Sequence, residues 1–291
     1  MLCTIGDLIE DVVVWLNSEL KNQINIGSDT DSVIVRTRGG SAANVAMFGA
    51  LNGTPSRFIG QVGNDNLGEQ LCTSLRESGV DVCTVAEGRT GSIVVIVQPN
   101  GERTFLTDRG VASDLSVFDA SHLAGVSIVH VPTYSLTLDP LATTAVQYMR
   151  AARAAGALIS IDASSTAVLR DYGVDRYSDL IASIAPDVFL CNNDEAELLN
   201  IDSAHPMSGA DLTVIKRGAL PVAAITAAGA VTEVATPPVA KIVDTTGAGD
   251  AFAAGFLPAY SSTRNIADAI THGNSIAARV LRSPGATLDG R

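Results

Sequence analysis

Short apolar runs alternate with longer segments of helical spacing along most of the 291 residues of this chain. In a strand–helix–strand unit the two strands pair in parallel and the helix covers one face of the sheet. Repetition of this unit predicts an α/β fold, a doubly wound and mainly parallel sheet flanked by helices. The predicted strands are 2–6, 56–63, 126–132, 157–162, 187–192, 212–218 and 221–229. The predicted helices are Leu67–Ser78, Pro140–Ala155, Asp194–Asn200 and Ala248–Tyr260.

Two β-rich regions interrupt the alternation. Residues 11–36 contain DVVVW and SVIVRTR, and residues 91–107 contain GSIVVIVQ, the turn PNGE and RTFLT. Both patterns are typical of β-hairpins. We expect the hairpins to meet in a small protruding sheet, where a lid over an active site would lie; the alternative is antiparallel edge strands on the main sheet. No Pro- or Ser-rich linker and no internal repeat divides the sequence, so residues 1–291 are predicted to form one domain.

Charge and cysteine usage limit the class of partner. The formal net charge of −12 disfavours a partner bound through a phosphate backbone, so a nucleic-acid function is not expected. The four cysteines have no metal-ligand or disulfide spacing and are predicted to be buried thiols. Acidic residues at positions 7, 10 and 11 stand where a signal peptide would continue its apolar segment, and no run of about 18 apolar residues follows. These features predict a cytoplasmic protein.

The stretch VDTTGAGDAF, residues 243–252, is the strongest candidate site. It places glycines directly before an alanine-rich helix, where free N–H groups and the helix dipole form an anion site. Asp250 in the first turn would repel a bound phosphate unless it accepts the proton of a hydroxyl that attacks that phosphate. The alternative is a glycine turn in which Asp250 only caps the helix or compensates its dipole.

Two separated stretches resemble the signatures of one family. DTTGAGDAFAAGF resembles the second signature of the ribokinase-like, or PfkB, carbohydrate kinases, and RGGSAANVAMFGALNG, Arg38–Gly53, is similar to the first. The resemblance implies a ribokinase-like fold with Asp250 as catalytic base. It also implies that Gly247, Ala248 and Gly249 form an anion hole for the transferred phosphoryl group. In the first signature Gly39, Gly40 and Asn44 are implied to bind substrate, whereas by itself GGSAAN also fits a Gly-Gly turn with a Ser41 helix cap.

The resemblance extends from Gly6 to Ala286 and implies further site residues. In GDLIED, Asp11 matches the sugar-binding aspartate, with a solvated acid at a strand start as the alternative. The segment GNDNLGE, 63–69, is implied to shape the substrate pocket. In CNNDEAELL, Asn192 and Glu195 are implied to position Mg²⁺ and phosphates, with an acid-rich helix start as the alternative. The implied nucleotide-binding residues are Asn192, Lys216, Gly218, Gly247, Gly249 and Asn274. The implied ligands of a monovalent cation are Asp244, Thr246 and Gly285.

The family resemblance implies an ATP-dependent phosphotransferase that uses Mg²⁺, with K⁺ as the monovalent cation, and phosphorylates the hydroxymethyl group of a small sugar. No G-x-x-x-x-G-K-[ST] string and no G-x-G-x-x-G after the first strand occurs, so P-loop and dinucleotide sites are not supported.

The substrate stays open. Ser41 stands where ribokinases carry lysine, and IDASS, 161–165, lacks the Asp-x-Asn-x-Arg pattern of fructokinases and ketodeoxygluconate kinases. A nucleoside kinase is the alternative, although with 4% aromatic residues only Phe105 and Tyr134 are candidates to stack on a base. A non-catalytic protein that responds to a sugar or nucleotide is the third hypothesis. The resemblance also allows a homodimer through the lid, with DVVVW as the pairing edge.

Overall fold

The computed structural model describes residues 1–16, 25–98, 103–283 and 285–288. The predicted turn PNGE, 99–102, and residues 17–24 of the first hairpin region lie outside them. The strands are β1 Leu2–Ile5, β2 Ile9–Trp15, β3 Val33–Gly39, β4 Ser56–Val62, β5 Asp81–Ala86, β6 Thr90–Val97, β7 Arg103–Gly110, β8 Ile128–Pro132, β9 Leu158–Asp162, β10 Val188–Asn192, β11 Leu212–Lys216, β12 Val222–Thr226 and β13 Val231–Val234. The helices are α1 Ser41–Leu51, α2 Asn66–Glu77, α3 Leu141–Ala154, α4 Thr166–Tyr172, α5 Val174–Ile184, α6 Asn193–Leu198, α7 Ala248–Thr263 and α8 Ile266–Val280.

Within the described residues nine strands form the main sheet, in the order β13-β12-β11-β10-β9-β8-β1-β4-β5. In this order every neighbouring pair between β11 and the edge strand β5 is parallel. At the other edge β12 and β13 are added in antiparallel orientation. The chain leaves β1 towards β4 and β5 and later continues on the other side of β1 with β8. In such a sheet ligands bind outside the carboxyl ends of the strands at the point where the order reverses. The topology therefore places the candidate site next to the carboxyl end of β1.

Alternate residues of the strands build a core on each face of the sheet. Leu2 belongs to the core beneath α1, α2, α7 and α8, together with Phe48 and Phe252. Its neighbour Cys3 belongs to the opposite core beneath α3 and α5, together with Tyr148. This three-layer arrangement confirms the predicted α/β fold. Among the described helices, none has the length and apolar character that crossing a bilayer requires.

A second sheet stands apart from the main one. Its order is β3-β2-β6-β7, with antiparallel pairs at both ends and a parallel pair of β2 with β6 in the centre. The two hairpin regions thus meet as predicted, and the alternative of extra edge strands on the main sheet is wrong. Because β2 lies between two partners, DVVVW is not an edge; the edges are β3 and β7. We call these four strands the lid sheet.

Several elements were not predicted. The pair α4 and α5 lies where the sequence offers no long helical period, and β5 and β13 are short strands interrupted by polar residues. Pairing with β4 and β12 on the existing sheet, rather than intrinsic propensity, stabilises β5 and β13. Three of the four cysteines, Cys3, Cys72 and Cys191, are buried as thiols, and Cys83 is half-buried.

Gly40 connects the lid sheet to the first helix through a contact that no other residue allows. Its φ is +101°, and a Cβ at this position would lie 2.1 Å from the carbonyl oxygen of Asp7. The backbone between β3 and α1 therefore touches the backbone after β1. This contact holds the N-terminus of α1 against the carboxyl end of β1.

We predict that Gly40→Ala lowers the free energy of unfolding by clearly more than Gly53→Ala. Gly53 is the matched control because its φ is +81° and no atom of the described residues lies within 4 Å of its added Cβ. Gly53→Ala should cost about 1–2 kcal/mol, the usual penalty for a left-handed residue. At Gly40 the backbone clash adds to a similar penalty. Urea denaturation measures both; equal costs would show that the clash is relieved by a backbone shift.

Candidate active site

A cavity of about 1070 Å³ lies between the carboxyl ends of the main-sheet strands and the lid sheet. Residues that follow β1, β9, β10 and β11 line its floor, and the starts of α1 and α7 line one wall. The roof includes four alternate residues of β7, namely Arg103, Phe105, Thr107 and Arg109. The site is where the strand order predicts it, and the lid sheet covers it.

Asp250 lies in the first turn of α7 and is held by two residues of α1. Ser41 Oγ donates to Asp250 Oδ1 at 2.7 Å, and Asn44 Nδ2 donates to Oδ2 at 2.9 Å. Arg38 Nη1 in turn donates to Asn44 Oδ1 at 2.9 Å, which orients the amide so that its NH₂ faces Asp250. The two signature stretches of the sequence are thus joined by one carboxylate.

Burial raises the pKa of Asp250 to about 6. The hydrogen bonds from Ser41 and Asn44 favour the charged form and oppose this shift, whereas the nearby Asp162 adds to it. A carboxylate with this pKa is ionised at neutral pH and is more basic than a solvated aspartate. Asp250 can therefore accept a proton from a hydroxyl in the cavity.

Ser41 does not cap α1. The N-cap residue is Gly40, which has no side chain to form a cap hydrogen bond, and Ser41 is the first helical residue. The alternative interpretation of Ser41 as a helix cap is wrong, because its hydroxyl donates to Asp250 instead.

The turn before α7 exposes backbone donors to the cavity. Gly247 is the N-cap residue with φ +75°, a conformation in which glycine carries no steric penalty. By helix geometry the N–H groups of Ala248, Gly249 and Asp250 have no acceptor inside the helix. Ala248 N makes a long contact of 3.3 Å with Thr245 O. The residues 247–250 all line the cavity, as an anion hole requires.

Lys216 brings a positive charge to the same place. A Cβ added at Gly249 would lie 3.2 Å from Lys216 Nζ, and Nζ donates to Asp162 Oδ2 at 2.5 Å. Burial lowers the pKa of Lys216, but the carboxylates of Asp162 and Glu195 outweigh burial and raise it, so the side chain stays cationic.

Glu195 takes part in the cap of α6 and also places a carboxyl group at the cavity. Glu195 Oε2 accepts from Asn192 N at 2.7 Å and Asn192 Oδ1 accepts from Glu195 N at 2.9 Å, which makes a capping box at the start of α6. Asn192 and Glu195 therefore do form an acid-rich helix start, as the alternative interpretation had it, yet both residues also line the cavity. Burial and the neighbouring Asp162 raise the pKa of Glu195, while Lys216 opposes them.

The carboxyl groups of Asp162 and Glu195 outnumber the single ammonium of Lys216, so this cluster has more acidic than basic groups. Within the described residues no three or more His, Cys, Asp or Glu side chains form a ready metal site. The donor set fits a magnesium ion, which keeps several waters and takes ligands from substrate phosphates. It does not fit a cation that needs a full protein cage.

Acidic and arginine side chains lie together at one end of the cavity. Asp11 lines the cavity, and a Cβ added at Gly39 would lie 2.4 Å from Asp11 Oδ1. Burial raises the pKa of Asp11 to about 6, and Arg38 opposes the shift. Asp7, at the end of β1, accepts from Arg109 Nη1 at 2.7 Å, and the same guanidinium lies over the Tyr134 ring at 5.3 Å.

The opposite end of the cavity offers an apolar slot. Asn274 is buried on α8 with Nδ2 3.4 Å from Ala235 O, and Gly218 lies in the turn after β11 with φ +61°. Both residues line the cavity, and so do six apolar side chains: Val222, Pro237, Pro238, Val239, Ala277 and Leu281.

Asp244 organises the loop before Gly247. Its Oδ1 accepts from Thr246 N and Oγ1 at 2.9 and 2.7 Å, and its Oδ2 accepts from Gly285 N at 2.9 Å. The sequence placed these three residues around a monovalent cation; the positive group observed there is the guanidinium of Arg103. Burial raises the pKa of Asp244, but the hydrogen bonds and Arg103 outweigh burial and lower it.

The segment 63–69 does not line the cavity among the described residues. Asp65 instead caps α2 through Gly68 N at 2.8 Å and accepts from Thr90 N at 2.8 Å. Thr90 is the first residue of β6, so this segment anchors the base of the lid sheet.

Sequence reasoning missed Asp162, Arg103 and Arg109. An acid as the last residue of a buried strand is a usable signal for Asp162, because such positions meet at the ligand-binding edge. The arginines sit on an exposed strand whose partners are more than 100 residues away. Periodicity carries no information on such contacts.

Comparisons with known proteins agree with this geometry. A sequence model described as pfkB family carbohydrate kinase matches residues 2–290. The fructokinase of Vibrio alginolyticus is 29% identical over 265 residues, which cover 85% of this chain and 84% of the relative.

Two solved structures are similar over nearly the whole chain. The adenosine kinase from Sinorhizobium meliloti has a TM-score of 0.85 at 24% identity and covers 98% of this chain and 94% of that one. The aminoimidazole riboside kinase from Salmonella enterica, complexed with aminoimidazole riboside and an ATP analog, has a TM-score of 0.78 at 25% identity, with the same coverage. These likenesses confirm the predicted ribokinase-like fold.

We predict that Ser41→Ala raises the pKa of Asp250 above its value of about 6 in the unaltered protein, because the hydroxyl stabilises the ionised carboxylate. Carboxyl ¹³C NMR titration measures this, with Asp250→Asn assigning the signal. Ser262→Ala removes a hydroxyl from the far end of α7 and is the control. An unchanged pKa in Ser41→Ala would contradict the assigned hydrogen bond.

Proposed function

The chain belongs to the pfkB family of carbohydrate kinases, and we propose that it transfers the γ-phosphoryl group of ATP to the hydroxymethyl group of a small sugar. The observation that carries this proposal is the position of Asp250. A basic carboxylate lies in the first turn of α7, held by Ser41 and Asn44, next to the backbone donors of residues 247–250. Base and anion hole at one helix start are what phosphoryl transfer to a hydroxyl requires.

The sugar is proposed to bind between Asp11, Asn44 and Asp250, beside Gly39 and Gly40. Carboxylate and amide groups match the donor and acceptor pattern of sugar hydroxyls. The sugar hydroxyl replaces part of the network around Asp250 and gives its proton to that carboxylate as the oxygen attacks phosphorus. The lid sheet excludes water, which would otherwise compete as acceptor.

The nucleotide is proposed to lie across the carboxyl ends of β10 and β11. Asn192 and Lys216 face its phosphates, and Gly218 and Asn274 border the apolar slot that would take the adenine. The ATP analog bound to the similar aminoimidazole riboside kinase supports this choice of donor. Negative charge on the transferred group is stabilised by the N–H groups of residues 247–250 and by Lys216.

Magnesium is proposed as the metal, held through water by Glu195 with Asp162 nearby. When bound, the ion neutralises charge on the phosphates and orients them. We propose the cytoplasm as the location, because ATP is available there. The cavity needs both sheets, so we further propose that residues 1–291 act as one catalytic domain.

The comparisons support a sugar or nucleoside as acceptor, and we favour a monosaccharide. The Vibrio alginolyticus relative is a fructokinase, but Ser164 and Thr166 stand here where the Asp-x-Asn-x-Arg pattern has Asn and Arg. A nucleoside is the second candidate because Phe105, 57% exposed on the cavity roof, and Tyr134 offer ring surfaces at the sugar end.

A substrate panel separates these candidates. Magnesium-dependent ATP consumption is measured with monosaccharides and with nucleosides, and activity on one class identifies the acceptor. Phe105→Leu removes the ring and should weaken a nucleoside KM more than a monosaccharide KM. If the panel is silent while sugars or nucleotides bind, the chain is a binding protein and the kinase proposal is wrong.

We predict that Asp250→Asn lowers turnover by roughly 10²-fold or more, the usual contribution of a general base. ATP affinity and folding should be retained, since the amide keeps the shape of the carboxylate. Asp108→Asn, which changes an exposed carboxylate on β7 outside the cavity, is the control and should be fully active. If Asp250→Asn turned over at the parental rate, Asp250 would not be the catalytic base.

We also propose a homodimer through the lid sheet. The register places Ile34 and Leu106 on the face opposite the cavity, where they are 59% and 57% exposed, with Val12, Val94 and Ile96 between them. An apolar sheet face of this kind needs a partner.

We predict that Leu106→Asp converts the dimer to monomers in analytical ultracentrifugation without unfolding the chain. Leu220→Asp, at an equally exposed apolar residue outside the lid sheet, is the control and should remain dimeric. A wild-type protein that sediments as a monomer at micromolar concentration would rule the dimer out.

A further inference from the structure

The loop before α7 receives a positive charge from the lid sheet. Arg103, the first residue of β7, places Nη2 2.6 Å from Asp244 Oδ1 and Nη1 2.7 Å from Thr246 Oγ1. The same Nη2 lies 3.3 Å from Thr245 Oγ1. One side chain therefore contacts three consecutive residues immediately before Gly247, where the anion hole begins.

The charge of the Asp244 carboxylate is already compensated by Arg103. Among the described residues Oδ1 accepts from the N–H and hydroxyl of Thr246 and from the guanidinium of Arg103, and Oδ2 accepts from the N–H of Gly285. A monovalent cation bound by Asp244 would lie beside this guanidinium and would be repelled by its charge. The cation site expected from the family resemblance therefore does not fit K⁺ in this chain.

We propose that Arg103 supplies, from the lid sheet, the positive charge that a monovalent cation would otherwise supply at Asp244, so that the enzyme works without K⁺. The proposal rests on the kinase function proposed above. Arg103 touches neither of the reacting groups and acts through Asp244 and Thr246, as a positioning residue.

Electrostatics explain why this position needs a positive charge. The Asp244 side chain is 8% exposed and lies three residues before Gly247. An uncompensated carboxylate there would repel the phosphoryl charge that residues 247–250 are arranged to bind. The planar guanidinium compensates the charge of Asp244 and also hydrogen-bonds two threonine hydroxyls. An ion held by flexible ligands would fix these groups less rigidly.

The position of Arg103 on β7 couples this charge to the lid sheet. At the other end of the same strand Arg109 pairs with Asp7, so β7 is tied to the main domain on both sides of the cavity. Arg103 thus contributes both to the placement of the lid and to the charge beside residues 247–250.

The first test compares turnover of the wild-type enzyme in potassium chloride and in tetramethylammonium chloride of equal ionic strength, with ATP supplied as its Tris salt. We expect the same turnover in both, and a many-fold requirement for K⁺ would overturn the proposal. This comparison needs no variant and is independent of any folding defect.

The second test uses Arg103→Met, which keeps an aliphatic side chain and removes the charge. In tetramethylammonium chloride we expect turnover to fall by about 10- to 100-fold, the range for groups that orient others at one remove, with little change in the sugar KM. Potassium should restore several-fold of this loss. Arg103→Lys keeps the charge and should need no potassium. A loss that potassium does not relieve, or no loss at all, would overturn the proposal.

The control is Arg89→Met, which breaks the exposed ion pair of Arg89 with Asp108 at the base of the lid sheet and should leave turnover and cation dependence unchanged. Thermal unfolding gives a readout without catalysis. Arg103→Met should unfold at a higher temperature in potassium than in tetramethylammonium, since K⁺ binds the vacated loop, and the wild type should not. If no acceptor is ever phosphorylated, the function proposal fails, and this unfolding comparison still decides the charge replacement.

Discussion

The charge of Asp250 is the constraint on which the cavity depends. An ionised carboxylate at this depth needs hydrogen-bond donors, and both of its side-chain donors come from α1, more than 200 residues away in sequence. This need for donors places the start of α1 beside the start of α7. The Gly40 contact with the Asp7 backbone holds α1 against β1. The same desolvation that makes the carboxylate costly also raises its pKa, as the proposed general base requires.

Charge balance inside the cavity is local and does not follow the net charge of the chain. The protein carries −12 overall, yet a phosphate-bearing nucleotide is proposed to react in its cavity. Lys216 and Arg103 compensate acids on either side of residues 247–250, whose backbone N–H groups add positive potential without any net charge. The acidic groups of Asp162 and Glu195 outnumber the one ammonium of Lys216, and the proposed Mg²⁺ would balance them.

The two faces of the lid sheet have different roles. One face directs Arg103, Phe105 and Arg109 into the cavity, and the opposite face carries the exposed apolar side chains of Ile34 and Leu106. A register shift of one residue between β6 and β7 would exchange the faces and remove both arginine contacts. The Asp65 contacts with Thr90, which anchor the start of β6, help to hold that register.

The amino-acid sequence by itself determined the α/β class, the separate hairpins and the glycine turn at Gly247 that precedes Asp250, because local periodicity and short glycine motifs are written in neighbouring residues. The family resemblance of the first signature added Asn44. Only the tertiary structure decided that Ser41 binds Asp250 instead of capping α1, and that Arg103 pairs with Asp244. Such contacts depend on register, side-chain direction and burial between segments far apart in the chain, and none of these has a periodic signature in the sequence.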